Sequence, residues 1–161
     1  MNIVIANRQR TKKINTRLLK QIAGALLEEL QVTEAELGIN LVDEREMTLV
    51  NETFLQHAGS TDVITFDHST AGGGSPESRH RLQGELFISV DDAISQGKQF
   101  GATWQSEIVR YIVHGFLHLR GHDDVKPALR RRMKREENRL LRGLARRFSL
   151  AQISRASKIR A

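Results

Sequence analysis

No cysteine occurs among the 161 residues, so neither a disulfide framework nor a thiolate metal site is open to this chain. That absence fits a reducing compartment. Long hydrophobic runs are missing too, and no stretch approaches the roughly 20 apolar residues of a membrane-spanning helix. The start, Met1-Asn2-Ile3-Val4-Ile5-Ala6-Asn7-Arg8, has too short an apolar run for a signal peptide. A cytoplasmic location with no membrane contact is therefore the expectation. There is no internal repeat and no convincing linker, so one domain is expected over residues 1–148, followed by a loose basic tail over 149–161.

Acidic residues are scarce at one end only. From Val125 onward 13 Lys/Arg face two acids, Glu136 and Glu137, a net of +11; residues 1–124 hold 12 basic and 17 acidic groups, a net of −5. The formal total is +6, and 39% hydrophobic with 27% charged residues is ordinary for a globular chain. The basic quarter suits a polyanion, RNA above all. Its Leu129, Met133, Leu140, Leu144 and Phe148 also form an apolar stripe, so many of its arginines solvate the opposite face of a helix.

What is present is concentrated in Arg110-Tyr111-Ile112-Val113-His114-Gly115-Phe116-Leu117-His118-Leu119-Arg120-Gly121-His122-Asp123-Asp124. Ile108, Tyr111, Ile112, Gly115 and Leu119 fall at the intervals of one buried helical face. His114 and His118 are four apart, so their imidazoles project from one side, a turn apart. This is the spacing with which a helix offers two nitrogens to one ion. Gly121 is a helix stop, after which the chain can bend back with a third ligand. Asp124, three residues past the glycine, is the expected third ligand; His122 is the alternative. Three protein ligands leave a position for solvent, the pattern of a catalytic zinc site. Asp123 and Asp124 have a rival role near the start of the next helix, whose first turn suits Pro127.

The rest of the chain reads as a strand from Asn2 to Ala6 and a helix capped by Asn15 or Thr16 that runs to about Leu30. Then come a strand over Glu36–Asp43 and a helix from Asp43 to about Gln56, with Met47, Leu49, Val50 and Phe54 inward. Strands over Ser60–Asp67 and Gln83–Val90 flank Gly72-Gly73-Gly74-Ser75-Pro76, either a flap or a long hairpin connection. Helices follow from Asp91 to about Phe100, from the Thr103 cap through the histidines, and from Pro127 to about Arg147. The order βαβαββααα predicts an α+β fold: a small mixed sheet packed with about five helices, the metal site at a helix C-terminus.

The segment His114-Gly115-Phe116-Leu117-His118-Leu119-x-Gly121-x-Asp123 resembles the signature of the YbeY family, bacterial metal-dependent endoribonucleases and rRNA maturation factors. Asn51-x-x-Phe54 followed by Thr61-Asp62-Val63-Ile64-Thr65-Phe66, and Gly84-Glu85-Leu86-Phe87-Ile88-Ser89, are similar to two further family blocks. The departures are equally plain. The family's third histidine falls at Asp124, its tyrosine at His122, its phosphate-binding arginine at Leu55, and a proline at Asp67. The resemblance implies one Zn2+ per chain and a single-strand-specific endoribonuclease. It would act on the single-stranded rRNA of the small ribosomal subunit, in rRNA maturation and ribosome quality control. On that reading His114, His118 and Asp124 hold the metal, and Asp123 orients a histidine or takes a proton. Arg120, Arg130, Arg131 and Arg132 contact phosphate.

Two rivals stand beside it. A zinc peptidase would need Glu directly after the first histidine, where this chain has Gly115. A ribosome-assembly or RNA-binding protein with a largely structural metal and weak or no nuclease activity is compatible with Leu55 and the basic C-terminus.

Overall fold

The structure, a computed structural model, describes residues 1–69, 76 and 79–154. Four strands, β1 (Asn2–Asn7), β2 (Glu34–Val42), β3 (Val63–Asp67) and β4 (Arg81–Ser89), form one sheet in the order β1-β2-β4-β3. β1 pairs with β2 and β2 with β4 in parallel, while β3 runs antiparallel to β4 on the outside. The sheet is mixed, as expected, and β3 and β4 are antiparallel neighbours joined through 68–80. Within that connection, the expected glycine-rich segment lies outside the described residues apart from Pro76.

Five α-helices accompany the sheet: α1 (Thr16–Glu29), α2 (Glu44–Val50), α3 (Val90–Phe100), α4 (Trp104–Leu119) and α5 (Pro127–Arg147). Strand alternation sorts the sheet's faces. Leu37, Ile39, Leu41, Leu82, Leu86 and Ile88 point into the main core with α1, α4 and α5. A smaller cluster of Val42, Met47, Val50 and Ile64 packs α2 over one end of the other face. Ten of the 16 residues of α4 are buried because it lies between the sheet and the outer helices, while Arg110, His114 and His118 keep partial exposure along one side. No helix among the described residues is long and apolar enough to cross a membrane.

Three details depart from the sequence reading. The helix begun at Glu44 widens into a single π turn over Asn51–Leu55, which ends at Gln56 in the left-handed region. Leu49, still in the regular helix, is exposed because Met47 and Val50 take the inward face. The extra residue of the π turn then changes the phase of the helix, and Phe54 is exposed as well. Phe54 instead meets Phe66 edge-on, 5.7 Å between ring centres. Ser149 does not open a loose tail, since Leu150–Ser154 is a 3-10 turn that buries Ile153 completely in the main core. Residues 155–161 lie outside the described residues. Leu129, placed on the apolar stripe of α5, is 37% exposed near the helix start rather than buried.

Gly115 sets how closely α4 lies on β4. A Cβ there would overlap the side chain of Leu86, which is fully buried and has nowhere to swing. Helix propensity alone makes Gly→Ala stabilising by about 1 kcal/mol. Overpacking at a closed site costs about 1–3 kcal/mol. Gly115→Ala is therefore expected to lower stability by up to about 2 kcal/mol, read from the denaturant midpoint. A rise in stability would show that the helix–sheet spacing is slack.

Candidate metal centre

The site is built on the last turns of α4 and the bend after it. The Thr103 hydroxyl caps the helix start by accepting from Ser106 N–H at 3.1 Å. At the other end Gly121 has φ +104°, the conformation that favours glycine. Its N–H donates to the carbonyl of His118, and the N–H of His122 to that of Leu117. This double closure is a Schellman motif, and it turns the chain back over the helix end.

His114, His118 and Asp124 each bring one ligand atom within 4.8 Å of the other two. The Nε2 atoms of the histidines are 3.1 Å apart. Asp124 Oδ2 lies 3.5 Å from His118 Nε2 and 3.8 Å from His114 Nε2. A tetrahedral ion with bonds of about 2.0–2.1 Å needs donor atoms about 3.3–3.4 Å apart. The triangle brackets that value, so these residues fit a divalent cation.

The outer ring nitrogens agree. His118 Nδ1 donates to the carbonyl of His122 at 3.0 Å. His114 Nδ1 donates to Glu137 Oε2 at 2.8 Å. With both protons on Nδ1, both Nε2 lone pairs face one point, a repulsive arrangement relieved by a cation. Glu137 is buried on α5 and also receives Arg110 Nη1 at 3.1 Å.

The two imidazoles are electrostatically unlike. Burial works against a charged His114, but the hydrogen bond and charge of Glu137 and the charge of Asp124 outweigh it and raise its pKa. Burial, joined by the neighbouring His114, pushes that of His118 down. Burial disfavours ionised Glu137 too, yet its bonds to His114 and Arg110 hold its carboxyl below the ordinary range.

Two clefts meet at the centre. One, about 510 Å³, follows β3 and is lined by Leu55, Val63, Thr65 and Asp67 together with His114, His118 and Asp124. The other, about 660 Å³, opens between α3, α4 and α5 and shares Asp62, Val63, His114 and Asp124 with the first.

The sequence-predicted residues divide accordingly. His114, His118 and Asp124 come together. His122 contributes its backbone carbonyl, and its ring lies near Glu136, whose carboxyl it helps depress. Asp123 Oδ1 accepts from Val125 N–H at 2.9 Å, forming a turn ahead of α5, and its side chain lines neither cleft. Arg120 is only 8% exposed, so it does not stand on the surface as a phosphate contact. Arg130 and Arg131 line the larger cleft. Arg130 also braces the bend, donating to the carbonyls of Asp124 and Val125. Arg132 is exposed on α5 and close enough to Glu136 to lower its pKa.

The sequence model of the family described as Endoribonuclease YbeY matches residues 4–145. The chain belongs to this family. An Endoribonuclease YbeY of Myxococcus xanthus is 39% identical over 125 residues, covering 78% of this chain and 42% of the relative. Another YbeY relative, from Bacteroides thetaiotaomicron, is 35% identical over 130 residues, 81% of this chain and 86% of its own length. The chain thus spans less than half of the first relative and most of the second. The solution structure of a Thermotoga maritima protein shares the fold, with a TM-score of 0.65 at 19% identity over 99% of this chain and 100% of that one.

Membership in the YbeY family gives Leu55 its meaning. Where the family signature carries arginine, this chain puts an apolar side chain in the wall of the strand-side cleft. Glu137 is the participant that local spacing did not reveal. Its signal was a carboxylate on an apolar stripe, four residues after Met133 and three before Leu140, in a run otherwise almost wholly basic.

Proposed function

We propose that this chain is a single-strand-specific endoribonuclease dependent on one zinc ion, acting in maturation of small-subunit rRNA and ribosome quality control. The observation that carries this reading is the triangle of His114 Nε2, His118 Nε2 and Asp124 Oδ2 at the junction of two clefts. Family membership supports RNA as substrate, and the clefts suit an extended strand rather than a rigid duplex. Two imidazoles and a carboxylate suit zinc, while an all-oxygen set would favour magnesium. Bound there, the ion would supply Lewis acidity, polarising a phosphoryl oxygen and bringing the pKa of water toward neutrality.

The chain's own residues do the remainder. Glu137 and the His122 carbonyl fix both imidazole tautomers with Nε2 turned to the centre. Arg130 holds the Asp124 bend in place. Arg131 and Lys134, on the wall of the larger cleft, offer positive charge to the phosphodiester. Asp123, engaged with Val125, is not assigned a proton-transfer role.

The direct test is incubation of the zinc-loaded full chain with single-stranded and duplex rRNA fragments, with and without a chelator. Single strands should be cut, duplexes spared, and chelation should abolish cutting. Retention of RNA without scission in excess zinc would favour the ribosome-assembly reading, which Leu55 makes a specific rival. Leu55→Arg should then matter. A guanidinium in the strand-side cleft adds a charge-assisted contact of about 1.5–3 kcal/mol to a phosphate. Scission should rise about tenfold, measured as kcat/KM on one oligoribonucleotide. Unchanged kcat/KM would mean that position 55 does not address the reacting phosphate.

A further inference from the structure

We propose that the outward face of α5 is a phosphate track that carries an RNA strand away from the metal centre. That the strand is RNA rests on the ribonuclease reading above; the track itself rests on how α5 distributes its cations.

The helix sorts its charges by side. At about 3.6 residues per turn, Arg131, Arg135, Arg142 and Arg146 fall within about 60° of one another around the axis. All four are exposed, and the buried Met133, Leu140 and Leu144 lie on the opposite side. On the neighbouring side the cations are paired. Arg139 meets Glu136 at 2.8 Å and Glu29 at 3.5 Å, and Arg147 reaches Glu28 at 4.0 Å. Among the described residues, none bonds or pairs with the side chain of Arg131, Arg135, Arg142 or Arg146. A face merely kept in water does not need this division. Arg131 stands four residues before Arg135, and Arg142 four before Arg146, a spacing at which like charges oppose the helix. A polyanion laid along the stripe turns that repulsion into attraction.

Three features commit the face to a strand of phosphates. It begins at the centre, because Arg131 lines the larger cleft that His114 and Asp124 also line. It is long, rising about 22 Å from Arg131 to Arg146 at about 1.5 Å per residue. That length matches about six phosphates of a stacked strand at about 3.4 Å each, and fewer of an extended one. Finally, the exposed positions from Arg131 to Arg146 hold no large apolar side chain. A membrane or an apolar protein surface finds no anchor there, whereas each guanidinium can grip a phosphate with two parallel hydrogen bonds.

The test compares two double variants of equal net charge in the zinc-loaded full chain. Arg142→Gln with Arg146→Gln strips the track; Arg139→Gln with Arg147→Gln strips the paired side. Because the track reads phosphates, a fluorescent oligodeoxyuridylate, which a ribonuclease leaves whole, serves as the probe. Strands of about 15 and about four nucleotides are titrated at several salt concentrations, the shorter being confined to the centre. Losing the track should weaken the long strand about five- to tenfold and flatten its salt slope by about 1.4, the share of two phosphate contacts. The short strand should be unaffected, and the paired-side variant should stay within about twofold of wild type, since exposed ion pairs contribute little. Equal losses in both double variants would reduce the effect to net charge and overturn the proposal. So would no loss in either, or an equal loss for the short strand. Binding to phosphatidylglycerol vesicles without binding to the strand would overturn it in favour of a membrane. Track-dependent binding in a protein that cuts no RNA would keep the track and sink the nuclease reading. Scission with equal kcat/KM on long and short RNA would do the reverse.

Discussion

His118→Ala is expected to weaken zinc binding by roughly a hundred- to a thousandfold and to bring RNA scission to background. His118 Nε2 is the closest neighbour of His114 Nε2, at 3.1 Å, and the nearer of the two imidazoles to Asp124 Oδ2, at 3.5 Å. Without it the remaining pair, His114 and Asp124, stands at 3.8 Å, and two ligands do not compete with water for a divalent ion. A small zinc site gathers on the order of 10–16 kcal/mol from four ligands, so one ligand of that class accounts for roughly two to three decades of affinity. The fold should survive. His118 is partly exposed and belongs to neither hydrophobic cluster, and burial together with His114 lowers its pKa. The check is zinc titration of wild type and variant alongside their unfolding curves. Equal zinc affinity in both proteins would remove the triangle from the chemistry altogether.

Some of this centre was written locally and some was not. The histidine pair, the Thr103 cap and the Gly121 bend are consecutive in the chain, so helical spacing and one glycine suffice to place them. Asp124 follows from the same bend: the double closure that holds His122 N–H on Leu117 aims the next carboxylates back toward α4. Distance from Gly121 points to Asp124 as the third ligand, with His122 as the alternative, but it does not divide the remaining roles between Asp123 and Asp124. One of them bonds Val125 and the other faces the imidazoles.

The burial of Arg120 was likewise invisible, because a charged residue after a helix reads as surface until the layers around it are known. Phe54 and Leu49 depart for two different reasons. Leu49 loses the inward face to its neighbours Met47 and Val50 at ordinary helical spacing, whereas Phe54 follows a π turn, which adds a residue to one helical turn that no periodicity announces. The alternation in β2 and β4 was legible because it records burial on one face only. Which strands are neighbours depended on contacts far apart in the chain, β2 with β4 above all.

Glu137→Gln is the second large effect, on the order of 10–100-fold in zinc affinity, and its direction with pH separates it from mere damage. Glu137 sits 23 residues from His114 in sequence and 2.8 Å from its ring, on a different helix. It raises the pKa of His114, which in turn helps hold the Glu137 carboxyl low. In the metal-free protein two signs follow. The His114 contribution to stability is fully present below the ordinary histidine value of 6.5 and is lost as pH rises through the raised one. The Glu137 contribution is present above the ordinary 4.5 and is lost as pH falls through the depressed one. Both act together between those two ordinary values, and the wild-type metal-free protein should gain most from the pair there.

Glutamine keeps the shape and loses the charge. His114 is then less basic, so protons compete with zinc only at lower pH, and the acid limb of the zinc-affinity profile should move to lower pH. Affinity at neutral pH falls nonetheless, because a neutral amide makes the imidazole a poorer donor to the ion. The two changes run in opposite senses on the two limbs, which a general loosening of α5 against α4 would not produce. Zinc affinity measured across pH 5 to 8 for wild type and Glu137→Gln reads both at once. A uniform loss at every pH would mean that Glu137 serves packing alone, and that the imidazole it touches is tuned by Asp124 instead.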